Sequence, residues 1–334
     1  MIIMKRFISF SLVLLLCVSL FASCGTETEM KLSNPNADET TQRVYAYICD
    51  AYGKNIISGQ QESIWVDGPD YEINYLLDTT GRLPAMRGFD FMNDDFEGVI
   101  KRSEEWWNKG GLITICWHCG ADFTKEYNAC KDDEIQDWDK VLTEDTPENE
   151  AFIKNMDNAG RALSELQKKG VTVLWRPFHE FDGAWFWWGK GGAENFKKLW
   201  IMMYDHFTYD LGLNNLIWVL GYSHNGKDYK GKPDKWYVGD GYCDIVGADS
   251  YEVSENGAEQ RLFKIVDKIT RGRKPLILHE CGLIPELSDL GQIPWGSFMT
   301  WHSEYLIDTN TKEHLSEIYN SDHVITLDEL PSFK

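Results

Sequence analysis

Proline and cysteine are scarce in this 334-residue sequence, which contains 10 Pro and 8 Cys. A collagen-like or proline-rich disordered chain needs more Pro, and the cysteines are too scattered for a small disulfide-stabilised domain. Positive charge is also in deficit, because 33 Lys and Arg stand against 53 Asp and Glu, for a formal net charge of −20. This charge would repel a phosphate backbone, so we expect no nucleic-acid partner and favour a neutral one.

The apolar run at residues 7–22 is too short for a typical membrane-spanning helix, and Lys5 and Arg6 precede it. This pattern is typical of an export signal. The small residues before Cys24 resemble a bacterial lipobox, so we expect residues 1–23 to be removed as a lipoprotein signal peptide and Cys24 to carry the lipid anchor. A plain secretory signal is the alternative, since Phe21 stands where Leu is usual.

The segment that follows the expected lipidation site is polar and lacks periodicity, so residues 24–39 are interpreted as a tether. The protein is then an exported bacterial lipoprotein, anchored to the outer membrane and facing either the periplasm or the cell surface. Contact with the membrane is expected through the lipid alone.

Residues 40–334 show no internal repeat and no linker, which favours one domain. Short apolar runs alternate with stretches of helical periodicity such as 149–169, 193–211 and 258–270. Eight strands alternating with helices in about 290 residues predict a (β/α)8 TIM barrel, an α/β fold with a parallel sheet. The eight runs are 56–58, 83–91, 112–118, 171–177, 216–220, 245–250, 275–278 and 297–301.

Nearly every one of these runs ends in a side chain that can form hydrogen bonds or stack on a ring. Because active sites of this fold lie at the carboxyl ends of the strands, these residues are the candidates for a functional site. Any one of them taken alone is also explained as an ordinary polar group at a strand end. The set includes Gln60, Gln61, Arg87, Asp90, His118, His179, Glu180, Asp249, Tyr251, Glu280 and Trp301.

Two glutamates, Glu180 and Glu280, follow the fourth and seventh apolar runs and are therefore expected at the same rim. Cleavage of a glycosidic bond needs such a pair, with one carboxyl protonated and the other ionised. We expect Arg176 and Tyr251 to hold one glutamate ionised, and His179 and the aromatic residues after Glu180 to bury the other and raise its pKa. The alternative for Glu180 alone is a capping or salt-bridged carboxylate.

Four consecutive aromatic residues, Trp185 to Trp188, follow the first of these glutamates. They cannot share one face of a helix or strand, so we expect some of them to project into a cleft. Indole rings stack on the apolar faces of pyranose rings. A hydrophobic lid on the barrel is the alternative, and we expect it to account for one or two of the four.

Cys116 and Cys119 have the C-x-x-C spacing of a redox or half-metal site. Redox motifs of this kind open a helix, however, whereas this one ends a strand-like run, and no second C-x-x-C completes a zinc site. We therefore place a redox or metal protein well below the other hypotheses.

Residues 175–189 read Trp-Arg-Pro-Phe-His-Glu-Phe-Asp-Gly-Ala-Trp-Phe-Trp-Trp-Gly and resemble the acid/base motif of glycoside hydrolase family 26, the β-mannanases of the retaining (β/α)8 clan. The resemblance extends from about residue 37 to the end of the chain. Other stretches fall in the family's order, namely 57–61, 88–90, 117–118, 249–251, Glu280 and Trp301.

The resemblance implies a retaining endo-β-1,4-mannanase in which Glu180 is the general acid/base and Glu280 the nucleophile. It implies that the sugar beside the scissile bond is held by His118, Arg176, His179, Asp249 and Tyr251, and that it stacks on Trp185 and Trp301. Retention implies carboxyl groups about 5–5.5 Å apart. The chain departs from the family pattern at His279 and Cys281, where we expect small or hydroxyl-bearing residues.

No metal and no cofactor is implied, and we expect a monomer that binds mannan, glucomannan or galactomannan. Three alternatives stay open at this point: a family member that acts on β-1,3-xylan or mixed-linkage glucan, an exo-acting enzyme that releases mannobiose, and a non-catalytic glycan-binding lipoprotein. A binding protein has no need of both glutamates.

Overall fold

The computed structural model describes residues 30–123, 126–223, 232–251, 258–290 and 292–334. The expected signal peptide and Cys24 lie outside these residues. Within the described ranges, no helix is both long and apolar enough to cross a membrane.

Eight parallel strands, β2 to β9, close into a barrel in chain order, which confirms the predicted (β/α)8 fold. The barrel closes where Gln60 of β2 pairs with Thr300 of β9. A separate two-stranded parallel sheet joins β1 to β10. The strands are β1 (Ile56–Ile57), β2 (Gly59–Gln61), β3 (Met86–Asp90), β4 (Leu112–Cys116), β5 (Val173–Arg176), β6 (Leu216–Tyr222), β7 (Ile245–Ser250), β8 (Leu276–Cys281), β9 (Phe298–Thr300) and β10 (Val324–Ile325).

The first barrel strand differs from the prediction, which placed it at residues 56–58. Those residues lead into the barrel, and Ile56 and Ile57 pair with β10 near the end of the chain. The barrel strand itself begins at Gly59, where the neighbouring strand comes very close: a Cβ at this position would lie 2.7 Å from the carbonyl oxygen of Phe298. Only glycine allows this approach. The apolar pair Ile56 and Ile57 drew the prediction to the segment before the glycine, because the barrel strand itself, Gly59–Gln61, is polar in sequence.

Helices occupy the outside of the barrel, and their locations agree with the periodicity. The longest begins at Pro147 after the N-cap Thr146, whose hydroxyl accepts a hydrogen bond from the Asn149 N–H, and it buries residues such as Phe152 and Leu163. The predicted helix 193–211 ends at Asp205 and continues as a π-helical turn, His206–Asp210.

The α-helices are α1 (Glu39–Ala51), α2 (Tyr71–Thr80), α3 (Phe96–Asn108), α4 (Ala129–Asp132), α5 (Trp138–Leu142), α6 (Pro147–Lys168), α7 (Trp187–Lys190), α8 (Gly192–Asp205), α9 (Ala258–Thr270), α10 (Leu287–Leu290), α11 (Glu304–Ile307) and α12 (Lys312–Tyr319). Short 3-10 turns lie at Met92–Asp94, Phe181–Gly183, Pro233–Trp236 and Leu327–Glu329.

The prediction that the tether extends to residue 39 is wrong, because the chain is already fixed to the barrel at Ser33 and Asn34. Asn34 is buried and its amide donates to the carbonyl of Leu213, at 3.2 Å, while the Ser33 N–H donates to Asp244, at 2.5 Å. Asp38 then caps α1 by accepting from the Thr41 N–H. The segment from Ser33 to Asp38 is polar because its polar groups form hydrogen bonds with the barrel and with α1. A solvated linker has the same composition, so composition alone does not distinguish the two.

Candidate active site

The two candidate glutamates lie at the carboxyl ends of β5 and β8, on one rim of the barrel. Glu280 is inside β8, where the pairing with β7 shifts register: Ala248 pairs with Leu278, but Asp249 pairs with Glu280. His279 is thus the extra residue of a bulge. A bulge redirects side chains, and both His279 and Glu280 are buried, at 4% and 3% exposure.

Glu280 has partners on both carboxylate oxygens. The Arg176 guanidinium donates to Oε1, at 2.5 Å, and the Tyr251 hydroxyl donates to Oε2, at 2.7 Å. His179 Nε2 lies 3.6 Å from the same Oε1. Burial alone would lower the pKa of Arg176, but the Glu280 carboxylate raises it above its ordinary value, so the guanidinium stays charged. Tyr251 is 39% exposed as a residue, although its hydroxyl binds the buried Glu280.

Glu180 lies in a different environment, on a strained turn. Its φ of 54° is in the left-handed region that non-glycine residues seldom adopt, and its N–H donates to the carbonyl of Gly221 at 2.8 Å. Burial, and secondarily the negative charge of Glu280, raises the pKa of Glu180 from 4.5 to about 7. The indole N–H of Trp185 donates to Oε2, at 2.8 Å, and acts in the opposite direction.

Asp249 lies close to both glutamates. It is buried, and its carboxyl contacts His279 Nδ1. Burial, followed by the charges of Glu280 and Glu180, raises the pKa of Asp249 well above its ordinary value. Burial and the charge of Arg176 lower the pKa of His279, which favours a neutral imidazole.

Two glycines make room for the His279 ring. A Cβ at Gly221 of β6 or Gly247 of β7 would overlap the imidazole. The His279 ring thus occupies space that the two glycines of β6 and β7 leave open. The expected departure from the family pattern at His279 stays a prediction.

His118 faces the same cleft from β4. Its Nδ1 is 2.5 Å from Asp90 Oδ2, and its backbone N–H donates to Asp90 Oδ1 at 3.0 Å. Burial opposes ionisation of Asp90, but the interactions with His118 prevail and lower its pKa. The His118 ring lies 4.6 Å from that of His179 and 6.3 Å from that of Trp301. Together with the contacts of Arg176 and Tyr251 to Glu280 and of Trp185 to Glu180, these distances bring the predicted residues close to the two glutamates.

The aromatic run after Glu180 corrects our expectation, because three of its four members are core residues. Phe186, Trp187 and Trp188 are at most 4% exposed, and Trp188 donates its indole N–H to the carbonyl of His179 at 2.7 Å. Trp185 alone is partly exposed at the cleft. The hydrophobic-lid alternative therefore accounts for three of these four residues, whereas we expected one or two. The physical reason is that apolar side chains at the top of the barrel must also be shielded from water.

The C-x-x-C pair does not have the properties of a redox site. Cys116 and Cys119 are free and buried, and burial raises the pKa of both thiols well above the ordinary value. Reactive thiols are partly exposed and have a lowered pKa.

Two groups of potential metal ligands occur in the described part of the chain: Asp90 with Cys116 and His118, and Asp249 with His279 and Glu280. In the first group, Asp90 is hydrogen-bonded to the His118 imidazole. In the second, Glu280 accepts a hydrogen bond from Arg176.

Sequence reasoning gave no role to three residues that the structure brings to the cleft. Asp90 was only one of the polar residues at strand ends, and its two hydrogen bonds to His118 now show that it holds the imidazole in place. The Tyr127 ring, 37% exposed, lies 5.4 Å from that of His118. The Trp65 ring, 52% exposed, packs against that of His302 at 4.7 Å. Tyr127 and Trp65 lie in loops that have no regular pattern.

A barrel rim that holds one glutamate with a raised pKa and another bound by a guanidinium and a phenol is the arrangement of a glycoside hydrolase. The chain belongs to glycosyl hydrolase family 26, since residues 33–329 match the sequence model of that family.

Named relatives agree with this membership. The chain is 32% identical to mannan endo-1,4-beta-mannosidase B of Piromyces sp. over 90% of its length and 54% of that protein. It is 30% identical to mannan endo-1,4-beta-mannosidase of Thermothelomyces thermophilus, over 91% of its length and 64% of that protein. The chain therefore spans between half and two thirds of the length of these relatives.

Solved structures extend the likeness to three dimensions. A beta-mannanase from a symbiotic protist of the termite Reticulitermes speratus, complexed with gluco-manno-oligosaccharide, superposes with a TM-score of 0.82 at 31% identity, over 92% of this chain and 99% of that one. A ruminal GH26 endo-beta-1,4-mannanase superposes with a TM-score of 0.84 at 31% identity, over 92% and 72% of the two chains.

Proposed function

We propose that the protein is a retaining endo-β-1,4-mannanase that hydrolyses mannan, glucomannan or galactomannan by double displacement. The observation that carries this proposal is the contrast between the two glutamates: Glu180 is partly buried and has a pKa raised to about 7, whereas Glu280 is buried and bound by Arg176 and Tyr251. The mannan specificity of the relatives supports the choice of polymer.

In the first step, Glu180 is the acid. With a pKa of about 7 it keeps its proton in weakly acidic solution and donates it to the glycosidic oxygen as the bond breaks. Glu280 attacks the anomeric carbon from the opposite face and forms a glycosyl-enzyme ester. Arg176 and Tyr251 orient the attacking carboxylate through its two hydrogen bonds.

In the second step, Glu180 is the base. Having lost its proton, it takes one from a water molecule, which attacks the anomeric carbon and releases Glu280. Loss of the ester restores the negative charge on Glu280, and this charge helps to raise the pKa of Glu180 again. The two inversions together retain the anomeric configuration, which requires a carboxyl separation of about 5–5.5 Å.

The remaining site residues position the sugar. His118, His179 and Asp249, which are buried near the glutamates, are expected to form hydrogen bonds with the sugar. Trp185 and Trp301, which are partly exposed, are expected to stack on it. Trp185 has a second effect, because its N–H stabilises the ionised form of Glu180 that the second step needs.

The experiment compares wild type with E180A and E280A on mannan, glucomannan, galactomannan and β-1,3-xylan. Loss of roughly a hundredfold or more in each variant is expected. E194A removes an exposed glutamate on the outer helix α8 and is the matched control. Full turnover by both site variants would contradict the assignment, and binding without turnover by wild type would favour the glycan-binding lipoprotein.

Azide separates the two roles. An azide ion replaces the missing nucleophile in E280A and gives an α-mannosyl azide, but intercepts the glycosyl-enzyme in E180A and gives a β-mannosyl azide. The anomer first formed by wild type, read by proton NMR, is expected to be β. A viscosity that falls faster than reducing ends appear would support endo action, and steady release of mannobiose would favour the exo alternative.

We further propose that Cys24 carries a lipid after removal of residues 1–23, on the basis of the sequence pattern alone. Incorporation of radiolabelled palmitate into wild type, with none in C24S, is the expected result. Equal membrane association of both would contradict lipidation.

A monomer is expected in size-exclusion chromatography with light scattering of a chain that starts after Cys24.

A further inference from the structure

We propose that His279 is a positioning residue of the reaction, whose imidazole separates Asp249 from Arg176. The guanidinium of Arg176 then stays available to Glu280, which is the nucleophile of the proposed function on which this inference rests.

The Nδ1 atom of His279 lies between a carboxyl group and a guanidinium. It contacts the carboxyl of Asp249 and is 3.3 Å from Nη1 of Arg176. The same Nη1 donates to Oε1 of Glu280, at 2.5 Å. This nitrogen carries two hydrogens, so one can bind the nucleophile while the other faces the imidazole. The His279 ring therefore contacts the atom that orients Glu280.

Without the ring, Asp249 would compete with Glu280 for the guanidinium. All three side chains are buried, and a buried guanidinium pairs strongly with any carboxylate that reaches it. Within the described part of the chain, Arg176 forms an ion pair with Glu280 and none with Asp249. The charge of Arg176 nevertheless acts on Asp249, where it opposes the larger effect of burial, which raises the pKa of that carboxyl.

A neutral ring is suited to this separation. Burial, and secondarily the charge of Arg176, lowers the pKa of His279 well below its ordinary value. An imidazolium would repel the guanidinium, and a carboxylate at this position would pair with it. A neutral imidazole does neither, so it leaves the ion pair between Arg176 and Glu280 intact.

Packing alone does not explain a histidine at this position. The ring is held by the bulge in β8 and by the space that Gly221 and Gly247 leave open. Its Nε2 atom is buried, and none of the described residues forms a hydrogen bond with it. A buried nitrogen without a partner destabilises a fold, whereas leucine would fill the space without this cost. The contacts of Nδ1 are what distinguishes histidine from an apolar residue here.

The test measures how fast Glu280 attacks, with a β-mannobiosyl fluoride that carries a second fluorine at C2 of the reacting sugar. The carboxylate displaces the anomeric fluoride and forms an ester that the C2 fluorine protects from hydrolysis, so mass spectrometry of the Glu280 peptide follows the labelling. Fluoride leaves without a proton from the general acid. The labelling rate therefore reports on the nucleophile and its orientation.

Three variants separate the Nδ1 contact from the bulk of the ring. H279L fills a similar volume without a nitrogen, H279N places an amide atom close to the position of Nδ1, and H279Q places one close to Nε2. Labelling should slow roughly tenfold to a hundredfold in H279L and H279Q, as expected for a lost hydrogen bond to a charged group. H279N should recover most of this loss. With mannohexaose the loss should appear in kcat rather than in KM.

H206A is the control for lost stability. It removes an imidazole that lies between Asp157 and Asp210, with nitrogen-to-oxygen distances of 2.7 and 2.9 Å, on the outer helices. H206A should keep the wild-type labelling rate even if its melting temperature falls.

Labelling of H279L at the wild-type rate would mean that the ring only fills space, and equal rates in H279N and H279Q would mean that Nδ1 is not the atom that acts. Either result overturns the proposal. A wild type that degrades no β-mannan and acquires no label on Glu280 would instead overturn the proposed function. Nitrogen NMR of histidine-labelled wild type needs no variant that folds poorly: a neutral His279 ring is expected between about pH 5.5 and 8, and an imidazolium in this range would also overturn the proposal.

Discussion

Replacing Glu180, the proposed general acid, with its neutral isostere Gln should stabilise the protein, and the gain should depend on pH. In the folded chain the pKa of Glu180 rises from 4.5 to about 7 because burial and the Glu280 charge oppose ionisation. Each unit of pKa difference is equivalent to about 1.4 kcal/mol, so ionised Glu180 destabilises the fold by about 3 kcal/mol. In E180Q this cost is absent at every pH.

The sign follows from the protons bound by each state. Well below pH 4.5, Glu180 is protonated in both the folded and the unfolded chain, so wild type and E180Q should have similar stability. Between pH 4.5 and about 7 the unfolded chain releases this proton while the folded chain keeps it, and wild type loses stability as the pH rises. Above about pH 7 the difference should be complete.

Urea unfolding of both proteins at several values between pH 5 and 8, followed by fluorescence, measures this difference. The advantage of E180Q should grow with pH and approach about 3 kcal/mol at pH 8. An advantage that is constant across the range, or that shrinks as the pH rises, would refute the assignment of the raised pKa to Glu180. E194Q, at an exposed position, should follow wild type throughout.

Three other changes test the contacts of the site. W185F removes the N–H that stabilises ionised Glu180, so the basic limb of the kcat/KM profile, expected at about pH 7 in wild type, should move to higher pH; an unmoved limb would contradict this contact. D90A removes the partner of His118 and should lower kcat/KM roughly tenfold to a hundredfold, as expected for a lost charge-assisted hydrogen bond, whereas unaltered kinetics would show that His118 needs no support. G247A places a Cβ against the His279 ring, and the resulting overpacking should destabilise the protein by about 1–3 kcal/mol and lower both turnover and the melting temperature. Removing the ring in G247A/H279A should raise the melting temperature again. If the double variant melts no higher than G247A, the clash is not the cause.

The sequence was sufficient for the architecture and for the chemistry at the rim. Alternation of apolar runs with helical periodicity predicted the barrel, because strands and helices bury their surfaces with different periods. The position of Glu180 and Glu280 at the ends of the fourth and seventh runs placed both on one rim, since parallel strands point the same way. No three-dimensional information was needed for either inference.

Tertiary structure alone decided the environment of each group. The bulge at His279, the left-handed turn at Glu180 and the burial of three of the four aromatic residues from 185 to 188 all depend on neighbouring strands that are distant in sequence. The contact between Arg176 and His279 joins residues 103 positions apart. A pKa or a sugar-binding surface depends on which atoms exclude water around a group, and local sequence determines the identity of that group but not what surrounds it.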